Sequence, residues 1–444
     1  MSNVQNKIDR RGLFLLIIHQ IISPFGNGLL RFALPLYVLE ISGNAALFGL
    51  ASGVPFISLI VMAPVGGIIS DRLRKQRIML WLDLITSGIV VIYTVYSGLF
   101  TGMIPIAILT LLAINAIQGL HSPTVDSSVP LLTSSDKLVR VNAVLTLFSS
   151  LSNIASPAIA GVLFAIAGLL PVLTITALCF VIVTVIDLFM RIPYNRQKEV
   201  GNISQTVVGD IACAFRFVAK EKIIFFKCAI VFFLLNLSLR GMIAVGFQVI
   251  VTQYFNMNMN MVGIGSSIIM VGGLLGSIIS GTLGSKLTIN RVYIPLIVCG
   301  ISIVPVGLVL LLNTTVTIAF IVIVIVCGVA VAAGQLFFIS TWTFIQRESP
   351  SEITGKILSF ITASQFLGNG LGRLLAGIMF ERFAQLPWIV FLTTAIVTIA
   401  VAAYSRHSFK MSAPSRSKEI AIWLNDVYEA GNYTMRSNAR VRSF

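Results

Sequence analysis

Twelve long apolar runs, separated by short polar breaks, constrain this chain more than any other feature. They fall near residues 12–39, 45–70, 78–99, 103–123, 138–168, 169–191, 223–253, 261–285, 291–312, 316–343, 356–380 and 387–405. A helix of about 20 apolar residues crosses the hydrocarbon of a bilayer, so each run predicts a spanning helix. Of the 444 residues 57% are hydrophobic and 11% charged, with a mean hydropathy of +0.96, where soluble domains carry roughly 25% charge. A water-soluble globule is excluded, because one core could not absorb so much apolar surface. The first run is too long for a signal-peptide core and is expected to stay as the first helix. Cys179, Cys213, Cys228, Cys299 and Cys327 lack CxxC or His-Cys spacing, so neither a disulfide framework nor a metal site is expected, and no cofactor is implied.

The net charge of +15 suggests nucleic acid only until the charges are placed along the chain. With a cytoplasmic N-terminus, 27 of the 31 Lys and Arg lie in or at the edge of cytoplasmic segments, the others being Arg31, Arg240, Arg373 and Arg382. That is the positive-inside distribution of a multi-pass plasma (inner) membrane protein with both termini cytoplasmic. The clusters Arg72, Arg74, Lys75, Arg77 and Arg191, Arg196, Lys198 read as topology determinants that also touch anionic lipid, and no nucleic-acid partner is expected.

The chain also repeats itself. At an offset of 216, Asn153, Ala160, Gly161, Phe164, Leu170 and Pro171 meet identical residues at Asn369, Ala376, Gly377, Phe380, Leu386 and Pro387. At an offset of 214, Gly67, Leu73 and Arg77 meet Gly281, Leu287 and Arg291. The expected organisation is a six-helix bundle over 1–191, a cytoplasmic linker over 192–222, a second six-helix bundle over 223–405 and a cytoplasmic tail over 406–444. Parallel halves of this kind are a secondary-transporter plan with the substrate site between them near the midplane. Within the tail, Ile420, Trp423, Leu424, Val427 and Tyr428 share one helical face, which suits a docking cap or a partner-binding helix.

The second run ends in Gly67-Ile-Ile-Ser-Asp71-Arg72-Leu-Arg74-Lys75-Gln-Arg77. This resembles the loop 2-3 signature of the major facilitator superfamily, G-x-x-x-D-R-x-G-R-[KR], with Arg74 in place of the usual glycine. The resemblance implies an all-α fold of twelve transmembrane helices in two pseudo-symmetric bundles, and a conformational latch at Gly67, Asp71, Arg72, Lys75 and Arg77. Asn115-Ala-Ile-Gln118-Gly119 is similar to the R-x-x-Q-G element of drug:proton antiporters, with asparagine for the arginine. Ser156-Pro157-Ala-Ile-Ala160-Gly161 resembles the antiporter element G-P-x-x-G-G, and a Pro-kinked helix packing through small residues accounts for it equally well. His121-Ser122-Pro123, Pro130-Leu131-Leu132 and Arg191-Ile192-Pro193 resemble the branch with macrolide efflux proteins and siderophore exporters, which implies export of a bulky organic compound.

Charges inside the spans point to the substrate site. Asn27 and Arg31, Asn236 and Arg240, and Asn369 and Arg373 form one Asn-x-x-x-Arg pattern in three spans, and Gln20 extends the first. Residues four apart share a helical face. An intramembrane arginine costs about 3 kcal/mol or more, so these faces are expected to look into a cavity. Arg31 lies about 13 Å inside Glu40 at 1.5 Å per residue, near the midplane. Gln20, Asn27, Arg31, Asn115, Gln118, Asn236, Arg240, Asn369 and Arg373 are therefore the candidate substrate-binding residues. Snorkelling, or satisfaction by backbone carbonyls and water, is the plainer reading of each arginine. His19 sits inside the first run and titrates near neutral pH; with Asp83 it is the candidate for proton coupling, or else a hydrogen-bonded structural histidine.

No Walker motif, ordered catalytic triad or metal spacing is present, so an enzyme is not expected and the energy should come from an ion or solute gradient. The leading reading is a secondary active transporter, an antiporter by the resemblance, that exports a drug- or siderophore-like organic solute by alternating access. The alternatives are an organic-anion or phosphorylated-solute exchanger, a lipid or lysolipid flippase, and a non-transporting membrane sensor or immunity protein.

Overall fold

The computed structural model describes residues 10–410 apart from 101, 103, 194–222, 284–286, 288, 313 and 350–353; of Asp71 only the backbone is described. The expected amphipathic tail helix and most of the linker lie outside the described residues. Among the described residues, twelve long helices make up the fold: α1 Arg10–Ser42, α2 Ala45–Arg72, α3 Lys75–Leu99, α4 Ile104–Asp126, α5 Ser135–Ala167, α6 Leu169–Phe189, α7 Ile223–Tyr254, α8 Met259–Leu283, α9 Tyr293–Leu311, α10 Val316–Glu348, α11 Thr354–Arg382 and α12 Pro387–Lys410. Eleven of them are long and apolar enough to cross a membrane. The twelfth, α11, is 29 residues long, but Ser364, Gln365, Asn369 and Arg373 dilute it. It packs against α2 and α7 and so tolerates those polar groups. Trp81, Ile92, Leu109, Ile166, Ile278 and Ile396 are exposed on the outer surface, as lipid-facing positions should be.

Helix pairings in the first six recur in the last six. α1 packs on α5, α2 on α4 and α3 on α6, while α7 packs on α11, α8 on α10 and α9 on α12. The two sets meet along two seams, α2 with α11 and α5 with α8. Both seams are built on glycine: a Cβ added at Gly49 would lie 2.6 Å from the Arg373 carbonyl oxygen and 2.8 Å from Gly377 Cα. A Cβ at Gly161 would lie 2.7 Å from Gly263 Cα. The small residues of Ser156–Gly161 serve this close approach and the packing on α1, where Ser156 Oγ donates to the Ser152 and Phe25 carbonyls.

These seams close the end of the molecule that carries the α1–α2 turn. Glu381 at the end of α11 accepts from the Ala45 backbone N–H at 2.8 Å, and Gln253 donates to the Gly43 carbonyl at 2.8 Å. Ser267 donates to the Ile154 carbonyl at 2.6 Å. At the opposite end, which carries the basic loops, Gly67 and Gly281 have open space around them. Close helix approach at this end is made by Gly66 and not by Gly67 of the loop signature. A Cβ at Gly66 would lie 2.7 Å from Leu120 Cα of α4, because Gly67 is turned about 100° around the helix from that contact. Lys75 Nζ holds the end of α2 to α4 by donating to the Ser70 carbonyl and to Ser127 Oγ, both at 2.8 Å.

Candidate functional site

A cavity of about 490 Å³ lies between the two sets of helices. Its wall includes Arg31 from α1, Asn115 from α4, Arg240 from α7, and Asn369 and Arg373 from α11. The three arginines are the only charged residues among those that line it. Arg31 Nη2 donates to Asn115 Oδ1 at 2.6 Å, and Arg240 Nη2 to Gln335 Oε1 at 3.3 Å. Arg373 Nε donates to Asn369 Oδ1 at 2.8 Å, while its guanidinium lies 5.0 Å from the centre of the Phe56 ring. Each arginine thus keeps one hydrogen bond to an amide, and among the described residues none is matched by an acid, which leaves most of its donors available. Arg31 is also open to the cavity although it lies deep in the molecule.

A local backbone feature positions Arg240. Residues Asn236–Arg240 form one π-helical turn inside α7, a distortion common at functional sites. It brings Gly241 against the backbone of Gly372 in α11, where any side chain would collide.

Four of the residues read from sequence as substrate-binding do not line the wall. Asn27 donates to Gln118 Oε1 at 3.0 Å and to the Ser23 carbonyl, and Gln118 passes the chain on to Ser122 Oγ. Asn236 donates to the Phe232 carbonyl of its own helix. Gln20 also lies off the cavity. The four-residue spacing correctly puts Asn27 on the side of Arg31, but α4 covers that side, and only the longer guanidinium reaches past it. Conversely Gln335, Gln248, Asn153 and Phe56 do line the wall. Single amides in long apolar runs carried no spacing signal, and Phe56 looked like any lipid-facing aromatic.

A second polar group lies apart from the cavity, inside the first six helices. His19 of α1, Asp83 of α3, His121 of α4 and Asp187 of α6 come together there with 0%, 3%, 4% and 1% exposure. His19 Nδ1 lies 2.9 Å from Asp187 Oδ1, and His121 Nε2 lies 3.1 Å from Asp83 Oδ2. The two imidazole rings stack with centroids 5.2 Å apart and planes 7° from parallel. Asp83 and Asp187 are both buried, and His121 joins His19 as a second imidazole inside the helices. Each lies within about two and a half turns of its helix end, Asp187 in the last turn of α6, and α1, α3, α4 and α6 converge there.

Residues 16–373 match the family model of the Major Facilitator Superfamily. The chain belongs to that superfamily. Among its relatives, macrolide efflux protein A of Streptococcus pyogenes is 23% identical over 387 residues, covering 86% of this chain and 92% of the relative. Multidrug efflux pump Tap of Mycobacterium tuberculosis is 22% identical over 383 residues, covering 83% and 87%. A bacterial homolog of the human lysosomal transporter Spinster, inward-facing and unoccupied, has the same fold with a TM-score of 0.71 at 15% identity, over 92% of this chain and all of that one. This member of the superfamily is a multi-pass membrane transporter, as its family and fold imply.

Proposed function

We propose that this transporter exports an organic solute bearing a carboxylate, catecholate or phosphate group, by alternating access across the plasma membrane. The observation that carries the reading is the cavity wall: three guanidinium groups and, among the residues lining it, no acid. At 10 Å, two unit charges interact by about 1.7 kcal/mol at an effective dielectric of 20, so several fixed positive charges disfavour a cation and favour an anion. Arginine adds geometry, since its fork can donate two parallel hydrogen bonds to one anionic group. Phe56 and Phe247 supply apolar wall for the rest of the molecule.

With the basic loops on the cytoplasmic side, the closed seams face outward and the cavity opens inward, ready to load from the cytoplasm. Similarity to two efflux proteins over 86% and 83% of this chain supports export over import. Transport of a charge-sorted compound panel into inside-out vesicles, with and without an imposed gradient, tests the reading. Uptake of anionic amphiphiles that is lost in Arg31→Ala and Arg240→Ala is the expected result. Tight binding of a hydrophobic cation by the unaltered protein overturns it.

A further inference from the structure

We propose that His19, Asp83 and His121 bind one divalent transition metal ion inside the first six helices, with Asp187 orienting the ring of His19. This site is separate from the substrate cavity, and the proposal does not depend on what the cavity carries.

The hydrogen bonding defines the chemistry. With Asp187 ionised and the proton of the 2.9 Å bond on His19 Nδ1, the neutral ring presents a lone pair at Nε2. That atom is fully buried, has no hydrogen-bond partner, and lies 3.8 Å from Asp83 Oδ2. A distance of 3.8 Å is too long for N–H···O, and it leaves room for a cation between the lone pair and the carboxylate oxygen. His121 Nε2 approaches the same oxygen at 3.1 Å. All three candidate ligand atoms lie within 4.8 Å of one another. Zinc bonds of about 2.0–2.1 Å at tetrahedral angles separate neighbouring ligand atoms by about 3.4 Å, a value that the 3.1 and 3.8 Å contacts bracket.

Charge and ligand type agree. Asp83 and Asp187 are two buried carboxylates, and among the described residues no Lys or Arg bridges to either. A divalent ion balances both with the two imidazoles neutral. Two imidazole nitrogens and a carboxylate suit zinc or a neighbouring transition metal better than calcium or magnesium. Carboxylate–imidazole–metal is a recurring arrangement that fixes the ring and raises its basicity, which is the role left to Asp187. The ion would join α1, α3, α4 and α6 close to the end that carries the basic loops. A resident metal would also take His19 and Asp83 out of proton exchange, the role that the sequence suggests for them.

The experiment uses the full chain, purified in detergent with any polyhistidine tag removed, stripped with a chelator and reloaded with Zn²⁺ or Co²⁺. One metal ion per chain by elemental analysis, and the intense visible absorption of four-coordinate Co²⁺, are expected. Asp83→Asn and His121→Gln should abolish both, Asp187→Asn should weaken binding about 10- to 100-fold, and Cys228→Ser should change neither. Metal content in the unaltered protein no higher than in monodisperse His121→Gln overturns the proposal. If neither loss variant is monodisperse, X-ray absorption of the zinc-loaded unaltered protein decides: a nitrogen and oxygen shell with imidazole scattering supports the site, and a sulfur shell or no bound zinc overturns it.

Discussion

The two six-helix sets share their packing and divide their chemistry. Arg31 and Arg240 stand at equivalent places, each hydrogen-bonded to an amide on the fourth helix of its own set, Asn115 and Gln335. Away from the cavity the equivalence ends. At the offsets that match Arg31 with Arg240, Gly67 with Gly281 and Asn153 with Asn369, the counterparts of His19, Asp83 and Asp187 are Cys228, Ile297 and Ala403. By the pairing of Asn115 with Gln335, His121 meets Thr341, which is buried. One set therefore buries four ionisable side chains where the other carries a buried thiol, a half-buried isoleucine, an exposed alanine and a buried hydroxyl. Interhelical packing is satisfied by volume, so it can be duplicated while buried charge is kept in one copy only. The latch loop divides in the same way, with Asp71 in the first set and Ser285 in the second.

The largest expected effect tests that division directly. Asp83→Leu leaves two imidazoles around a lost counter-charge and should cost about 3–5 kcal/mol, as the loss of one partner in a buried ionic group does. Ile297→Val at the equivalent place should cost about 0.5–1.5 kcal/mol. Thermal midpoints of the two variants in one detergent check this, and equal shifts would show that the buried charges carry no special weight.

The next largest effect concerns the two glycine seams. Gly49→Leu forces a side chain into the Arg373 and Gly377 backbone and should shift the balance away from the present state by about 1–3 kcal/mol. Distances between spin labels on the ends of α2 and α11 report the opening. Gly67→Leu, with open space around it, should leave the same distances unchanged.

Lysine substitutions compare the paired arginines. Arg31→Lys and Arg240→Lys keep the charge and lose the fork, so each should weaken an anionic ligand about tenfold, the loss of one charge-assisted hydrogen bond. Equilibrium binding of a fluorescent anion measures it, with the larger loss expected at Arg31, which is the more open to the cavity. Binding indifferent to both would return the arginines to packing.

The smallest effect is at the closed end. Glu381 belongs to the second set and meets the first turn of α2 in the first, while its own counterpart is Ala165, so the contact has no mirror image. Glu381→Gln removes an anion from a helix N-terminus and should cost about 0.3–1 kcal/mol. Cysteine accessibility at Asn44, compared with and without the substitution, should rise by no more than a few fold.

Hydropathy, charge placement and offset identities are properties of the chain itself. They were enough to specify twelve helices in two sets of six, and they marked Arg31, Arg240 and Arg373 as the charges worth following into the structure, while the superfamily was legible only through the resemblance of residues 67–77 to its loop signature. Lipid enforces that legibility, since a buried charge in a spanning helix is costly wherever the neighbours lie. What a polar side chain meets is a different matter. The contact of Asn27 with Gln118, the exclusion of Asn236 from the cavity and the entry of Gln335 depend on which helix covers which face, and interhelical register is set by packing that no single span encodes. The buried group at positions 19, 83, 121 and 187 is the extreme case. Its members are separated by 64, 38 and 66 residues, on four helices, so no spacing rule could collect them. Only the convergence of α1, α3, α4 and α6 places two histidines and two carboxylates within a few ångströms of each other, where the low dielectric of the interior makes them a unit.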